Sequence, residues 1–457
     1  MLDLLIGTTT IEGKSQNTLG LEIITKELIK SGFKVVSVDR NNAREVDILL
    51  ISLYWVDQVL LYPLWLVSAK IDPVKKKPII IIGGSMTLNI SPLEGMFHHA
   101  VIGDGEDVIT NLIEKIKETN HDHVLSSDDI KRKVTANVAT TLPMEHYIEL
   151  RTNKITRIEI ARGCKMKCSF CQLTHIKPYR EIPPIILKNL IATSPTKNIA
   201  LFAPDRGSYS GYQEIEKWCN KYGKRNMGTD IRLKTLREFT VATNVRFGIE
   251  GFSERERKYL GKPYTNKALI SDVMHVLDDI KTPKGKPITV LTWYMIIGLP
   301  GQSESDYQEF VDLLWSINDR CKNLNRKITI FLTHNDFLPM NHTPMENESK
   351  DIWIDHIKNW NKLKPKLPNI TIAQHGGSRS PAIRLAQLLV SRGGEGSSKA
   401  LFNLSLKHKN LLKGGVDNGK KLLILMKNCG VDTESLIHGY KGDFPWSNIK
   451  IGGLANA

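Results

Sequence analysis

Three cysteines, Cys164, Cys168 and Cys171, stand close together in the stretch Ala161-Arg-Gly-Cys-Lys-Met-Lys-Cys-Ser-Phe-Cys-Gln172. Their spacing is C-x3-C-x2-C. Three thiolates can hold three corners of a cubane iron–sulfur cluster, whose full complement is four cysteines. A loop that supplies three leaves one iron open to an outside molecule, and an open position is what a reactive metal site requires. The competing chemistry is zinc, with His175 completing a four-ligand set four residues beyond Cys171.

The triad follows directly on an apolar run, Arg157 to Ile160, that reads as a β-strand. Similar short runs, bounded by Gly, Pro or polar turns, recur near 198–202, 246–249, 290–296 and 327–333 with helical patterns between them. That alternation predicts barrel strands over residues 151–375. Upstream, residues 1–119 alternate continuous apolar strands with amphipathic helices, the pattern of a parallel, doubly wound sheet. Residues 120–150 are polar and weakly periodic and read as a linker. Residues 376–457 read as a basic, mostly helical region with Gly-rich breaks. The expected fold class is α/β: a doubly wound Rossmann-like domain, a partial TIM-like barrel and a small helical end.

The chain has 457 residues and a net charge of +15. Residues 376–457 hold 12 basic and 5 acidic side chains, 12 − 5 = +7. This excess suits a polyanionic partner such as RNA, held through phosphate contacts; the alternative is a solvated basic surface. The apolar runs are strand-sized, too short to span a bilayer, and Met1-Leu-Asp-Leu-Leu-Ile lacks the basic start of a signal peptide. Cys219, Cys321 and Cys429 are scattered, so no disulfide framework is expected. These features together predict a cytoplasmic protein without membrane partners.

With Phe170 in the place before the third cysteine, the triad resembles the radical S-adenosylmethionine (SAM) superfamily, which carries C-x3-C-x-aromatic-C after the first strand of a βα barrel. The resemblance implies a 4Fe–4S cluster on Cys164, Cys168 and Cys171, and SAM chelated to the free iron. It also implies one-electron cleavage to a 5′-deoxyadenosyl radical, with a reducing partner such as flavodoxin or ferredoxin. The hard chemistry would be the cofactors'; the protein positions them and excludes water.

Further motifs extend the resemblance. Ala203-Pro204-Asp205 stands where relatives place a Gly-Gly-Glu-like turn, so Pro204 and Asp205 are expected near the SAM amino group; an ordinary strand-end turn is the alternative. Gly248-Ile-Glu-Gly-Phe-Ser253 resembles Gly-x-Glu-Ser-x-Ser, which assigns Glu250 and Ser253 to SAM; the alternative is a Glu250–arginine pair inside the barrel. Gly298 and Gly301 match a turn in the family and read as backbone requirements. His342, in Phe337-Leu-Pro-Met-Asn-His-Thr-Pro344, is expected as a proton donor or as a loop-ordering residue.

The first domain resembles the cobalamin-binding domain that precedes many radical SAM barrels. Gly83, Gly84 and Ser85 form one strand-end turn, and Gly103, Gly105 and Glu106 another, where a parallel sheet admits ligands. The Asp-x-His-x-x-Gly that supplies a lower axial histidine is absent, so cobalamin would lie without a histidine ligand, over Ser52 to Trp55. Methylthiotransferases of similar layout hold a second cluster on three N-terminal cysteines. Every cysteine here is at position 164 or later, which argues against that route. Leu388-Leu-Val-Ser-Arg-Gly393 and Phe444-Pro-Trp446 resemble the ends of cobalamin-domain relatives, with Gly394 and Ser447 where those have Asp. The expected function is a radical SAM enzyme, methylating an unactivated carbon through cobalamin. Its rivals are a cobalamin-free RNA-modifying enzyme and a non-catalytic iron–sulfur protein.

Overall fold

A computed structural model describes residues 4–11, 18–75, 77–118, 133–137, 148–151, 155–227, 242, 245–282, 284–376, 379–447 and 449. The first sheet contains β1 (Leu5–Thr10), β2 (Lys34–Ser37), β3 (Ile48–Ser52), β4 (Ile79–Gly83), β5 (His99–Gly103) and β6 (Lys133–Asn137), in the order 2-1-3-4-5-6. Every pairing in it is parallel. Strands buried on both faces need apolar residues at every position, and Ile-Leu-Leu-Ile-Ser and Ile-Ile-Ile-Ile-Gly supply them. The order reverses between β1 and β3, the usual ligand crevice of such sheets. Ser52 ends β3 there, in register with Thr10 on one side and Gly83 on the other.

β6 corrects the sequence reading of 120–150 as linker. Lys133–Asn137 pairs with β5 over five residues, and Ile148–Arg151 (β7) pairs antiparallel with β8 (Ile155–Glu159). Both segments are short and polar, and pairing with an existing strand edge fixes them where periodicity gave no signal. The remainder of 119–147 lies outside the described residues.

The second half holds two four-stranded sheets. One runs β12 (Arg225–Asn226), β11 (Asn198–Phe202), β8, β7. The other runs β13 (Val245–Glu250), β14 (Val290–Ile297), β15 (Ile328–Asp336), β16 (Ile370–His375), all parallel. Between β8 and β11 lies a two-residue ribbon, β9 (Ala161–Arg162) against β10 (Arg180–Glu181). Strands β14 and β15 alternate: Leu291, Trp293, Met295, Ile330 and Leu332 are buried in a core shared with Phe310 and Trp360 of the outer helices Glu304–Asn323 and His356–Leu363. Their other face, with Tyr294, Ile296 and Asn335, looks into the barrel. β16 was not foreseen as a strand.

The carboxyl-terminal helices Pro381–Arg392, Ser397–Lys407 and Val416–Asn428 do not form a separate unit. They share one apolar core with β3, β4, β5 and the helix Val56–Ser68 of the first sheet. Ser380 caps the first of them, accepting from the Ile383 amide, and Pro381 begins it. Ten of its residues are buried, among them Arg384 and Arg392. Arg392 is fully buried and donates to the carbonyls of Leu436, Glu346, Glu348 and Ile437. Two of the basic side chains counted for a polyanionic partner are thus internal struts. No helix among the described residues is long and apolar enough to cross a membrane.

Candidate active site

The cysteine loop spans 163–179 and is closed at its base by the ribbon, where Arg162 faces Arg180 and Ala161 faces Glu181. Gly163 sits at φ +69, and a Cβ there would lie 2.4 Å from the Pro178 carbonyl oxygen, so only glycine lets the two ends of the loop approach. The loop is tied to the barrel's other turns. The Ser169 amide and hydroxyl donate to the carbonyls of Leu260 (3.2 Å) and Tyr259 (2.9 Å), and Gln172 Nε2 donates to the Asn341 carbonyl (3.0 Å). Cys168 is buried; Cys164 and Cys171 are half-buried. None of the six cysteines is in a disulfide.

Burial raises the Cys171 thiol pKa and the neighbouring Cys164 adds to it, while Lys262 pulls the other way. His175 turns its Nε2 to the Cys168 carbonyl (3.0 Å) and orders the loop backbone. Among the described residues no three His, Cys, Asp or Glu side chains converge on one point. A mononuclear site needs such convergence; thiolates that each hold a different iron of one cubane do not. The donor set, three thiolates on one short loop, fits the cluster.

Beside the loop, at the carboxyl ends of β13–β15, lies a cavity of about 320 Å³ lined by Phe170, Glu250, Tyr294, Asn335, Asp336 and Met340 among others. This is the face on which barrel enzymes place their chemistry, and the volume is that of a small-molecule site. Two residues singled out in the sequence, Phe170 and Glu250, meet here. Glu250 holds φ +66 at a bulge between Gly248 and Glu250, a strained conformation of the kind that collects at functional positions. Its partner is Lys262, not an arginine: Nζ donates to Glu250 Oε1 and to the Gly248 carbonyl, both at 2.8 Å. The same ammonium stands 5.8 Å from the centre of the Phe170 ring.

Other expected site residues are engaged elsewhere. Ser253 caps the helix Glu254–Tyr259, accepting from the Glu256 amide and donating to Asp306 Oδ1 at 2.5 Å. Only 1% of it is exposed. Asp205 is buried within its own turn, accepting from the Ser208 hydroxyl, and the exposed Pro204 does not line the cavity. His342 presents Nε2 to the Leu88 carbonyl at 3.1 Å, and its amide donates to Glu346. It ties the barrel to the first sheet, the loop-ordering alternative, and burial holds its pKa below the ordinary value.

The two glycine turns of the first sheet have different roles. Gly84 sits at φ +105, where a Cβ would lie 2.4 Å from the Leu53 carbonyl oxygen, and Ser85 donates to the Tyr54 carbonyl. Ser52 shares a hydrogen bond with Thr18. These contacts hold Tyr54 and Trp55, an exposed edge-to-face aromatic pair, at the crevice. Tyr54 is partly covered, and this burial first, with Cys171 second, raises its hydroxyl pKa. In the second turn, Gly103-Asp104-Gly105-Glu106, both carboxylates are engaged in ion pairs. Asp104 meets Arg162, Lys177 and Arg180, and Glu106 meets Arg162. Sequence reasoning missed Asp104 and Lys262 as site residues; nothing in their spacing links them to the triad.

Residues 158–314 match the model of the radical SAM superfamily, and residues 23–141 match one described as radical SAM proteins, N-terminal. The chain belongs to the radical SAM superfamily. It is 23% identical over 293 residues to an uncharacterized protein of Methanocaldococcus jannaschii, covering 60% of this chain and 63% of that one. It is 25% identical over 236 residues to the ribosomal protein uS12 methylthiotransferase RimO of Campylobacter jejuni, covering 47% of this chain and 48% of that one. The chain therefore spans less than two thirds of the length of these relatives. Among solved structures, the cobalamin-dependent S-adenosylmethionine radical enzyme OxsB with aqua-cobalamin and S-adenosylmethionine bound is similar in fold. Its TM-score is 0.51 at 14% identity, over 93% of this chain and 71% of that one.

Proposed function

We propose that the chain is a radical SAM enzyme that methylates an unactivated carbon with the help of a corrinoid. The observation that carries the reading is the cavity shared by Phe170 of the cysteine loop and Glu250 of β13. Cys164, Cys168 and Cys171 would hold the cluster, which when bound supplies one electron to the SAM sulfonium. Glu250, with Oε1 held by Lys262, keeps its other oxygen as an acceptor for an ammonium or ribose hydroxyl in the cavity. Phe170 and Met340 give the cavity an apolar wall that excludes water from the reacting centre.

Tyr54 and Trp55 support the corrinoid. They present an aromatic surface at the switch point of the first sheet, where a planar macrocycle would lie. The methylthiotransferase relative does not carry its reaction over, because no cysteine precedes Cys164 to hold a second cluster.

Anaerobic purification with hydroxocobalamin, followed by dithionite and SAM, tests the reading. Expected are co-eluting corrinoid and 5′-deoxyadenosine; SAM cleavage without corrinoid overturns the methylation route, and no cleavage at all leaves an iron–sulfur protein without SAM chemistry. The second reading, a cobalamin-free enzyme acting on RNA, rests on Lys399, Lys407, Lys409, Lys413, Lys420 and Lys427, all exposed. Salt-dependent tRNA binding supports it.

A further inference from the structure

Arg162 and Arg180 face each other across the ribbon that closes the cysteine loop, and both are buried. Like charges directly opposite on paired strands repel, so this base would open without a counter-charge. The counter-charge comes from another domain. Asp104 Oδ2 meets Arg162 Nη1 at 3.2 Å and also abuts Arg180 Nη2, while its Oδ1 meets Lys177 Nζ at 2.5 Å. Arg162 has further partners, Glu159 on its own strand side at 2.8 Å and Glu106 at 2.5 Å. Among the described residues Arg180 and Lys177 pair with no carboxylate but Asp104. Three cations therefore stand against three carboxylates, Asp104, Glu106 and Glu159, in a buried and balanced set. The contacts of Asp104 Oδ2 with the two arginines lie at ion-pair distance without hydrogen-bond alignment, whereas Oδ1 accepts a hydrogen bond from Lys177 Nζ, so toward Arg162 and Arg180 it is charge that Asp104 contributes.

We infer that Asp104 of the first sheet is a positioning residue for the iron–sulfur loop, because it neutralises the two arginines facing each other at the loop's base. The inference rests on the proposed cluster only for its second readout. It makes the first sheet part of the device that shapes the cluster site, whatever that sheet binds. A change at the β5 turn is felt at both ends of the 163–179 loop, through Arg162 before Gly163 and through Lys177 and Arg180 after it.

The test uses the full chain in two states. In the cluster-free protein, hydrogen exchange of the amides at 161–163 and 179–182 is compared for wild type, Asp104→Asn and the double variant Asp104→Asn/Arg180→Met. Removing one partner of a buried pair leaves an uncompensated charge, so Asp104→Asn is expected to speed exchange there by roughly a hundredfold. The double variant removes the repulsion as well and is expected to recover most of the protection. In anaerobically reconstituted protein, iron per chain and the Mössbauer signature should follow the same order. Wild-type exchange in Asp104→Asn overturns the inference. A double variant no better than the single also overturns it, since a purely steric role gives no recovery. If wild type itself takes up no cubane, the functional reading fails while the exchange experiment still decides the role of Asp104.

Discussion

Lys262 Nζ lies 2.8 Å from Glu250 Oε1, and both side chains are largely buried, 14% and 13% exposed. The pair joins the barrel strand that lines the cavity to the turn on which the cysteine loop rests, because the Ser169 amide donates to the carbonyl of Leu260, two residues before Lys262. Lys262→Met would leave Glu250 as an uncompensated carboxylate. About 3 kcal/mol of stability should be lost, read by urea denaturation, and SAM affinity should fall in equilibrium dialysis. The double variant Glu250→Gln/Lys262→Met should regain much of the stability but not the affinity.

Replacing Cys164, Cys168 or Cys171 by serine should in each case abolish the 4Fe–4S absorbance of reconstituted protein and with it 5′-deoxyadenosine formation. Cys429→Ser, remote in the carboxyl-terminal core, should leave iron content unchanged. Iron analysis of the four variants checks this.

Tyr54→Ala with Trp55→Ala should remove co-purifying corrinoid, measured by its visible spectrum, without lowering iron per chain. Both side chains are exposed, so the cost in stability should stay within about 0.5 kcal/mol each.

His334 is 5% exposed, lies flat against Phe252 with ring centres 6.1 Å apart, and neither ring nitrogen has a hydrogen-bond partner. Burial, with a smaller push from Lys364, lowers its pKa to about 4. The fold therefore holds the neutral ring while the unfolded chain binds a proton below about pH 6.5. Stability is full above pH 6.5 and should decline as pH falls toward 4. The loss from this site is on the order of 3 kcal/mol, and His334→Leu should flatten that part of the profile in denaturation midpoints measured between pH 7 and 4.

Arg392→Met should destabilise by about 3 kcal/mol, because four carbonyls, two of them buried, lose a charged donor at once. Thermal unfolding checks the direction and size.

The elements that carried strong periodicity were legible in the sequence. The helix Glu106–Glu118 and the strand Asn198–Phe202 have the bounds that their patterns predict, and β3 and β4 could be read from uninterrupted apolar runs. The cysteine loop was legible because its ligand types and spacing are themselves the chemistry. What escaped were relations between distant segments. Lys133–Asn137 becomes a strand only because the β5 edge is there to receive it. Ser253 looks like a ligand contact in one dimension, yet in three it faces Asp306, fifty-three residues away. The Gly-Asp-Gly-Glu turn has the composition of a ligand cradle, but its carboxylates are claimed by cations near 162–180 that no local window connects to it. A basic count over 376–457 could not distinguish Arg392, sealed among carbonyls, from Lys420 at the surface.

The shared core of the first sheet and the last helices has a consequence for biosynthesis. The Leu64 amide donates to the Ser405 hydroxyl across 341 residues of chain, and the apolar side of the Val56–Ser68 helix stays uncovered until the helices after Ser380 emerge from the ribosome. Closing such distant pairings is slow and leaves sticky surface open meanwhile. A nascent chain arrested before Ser380 should therefore recruit chaperones.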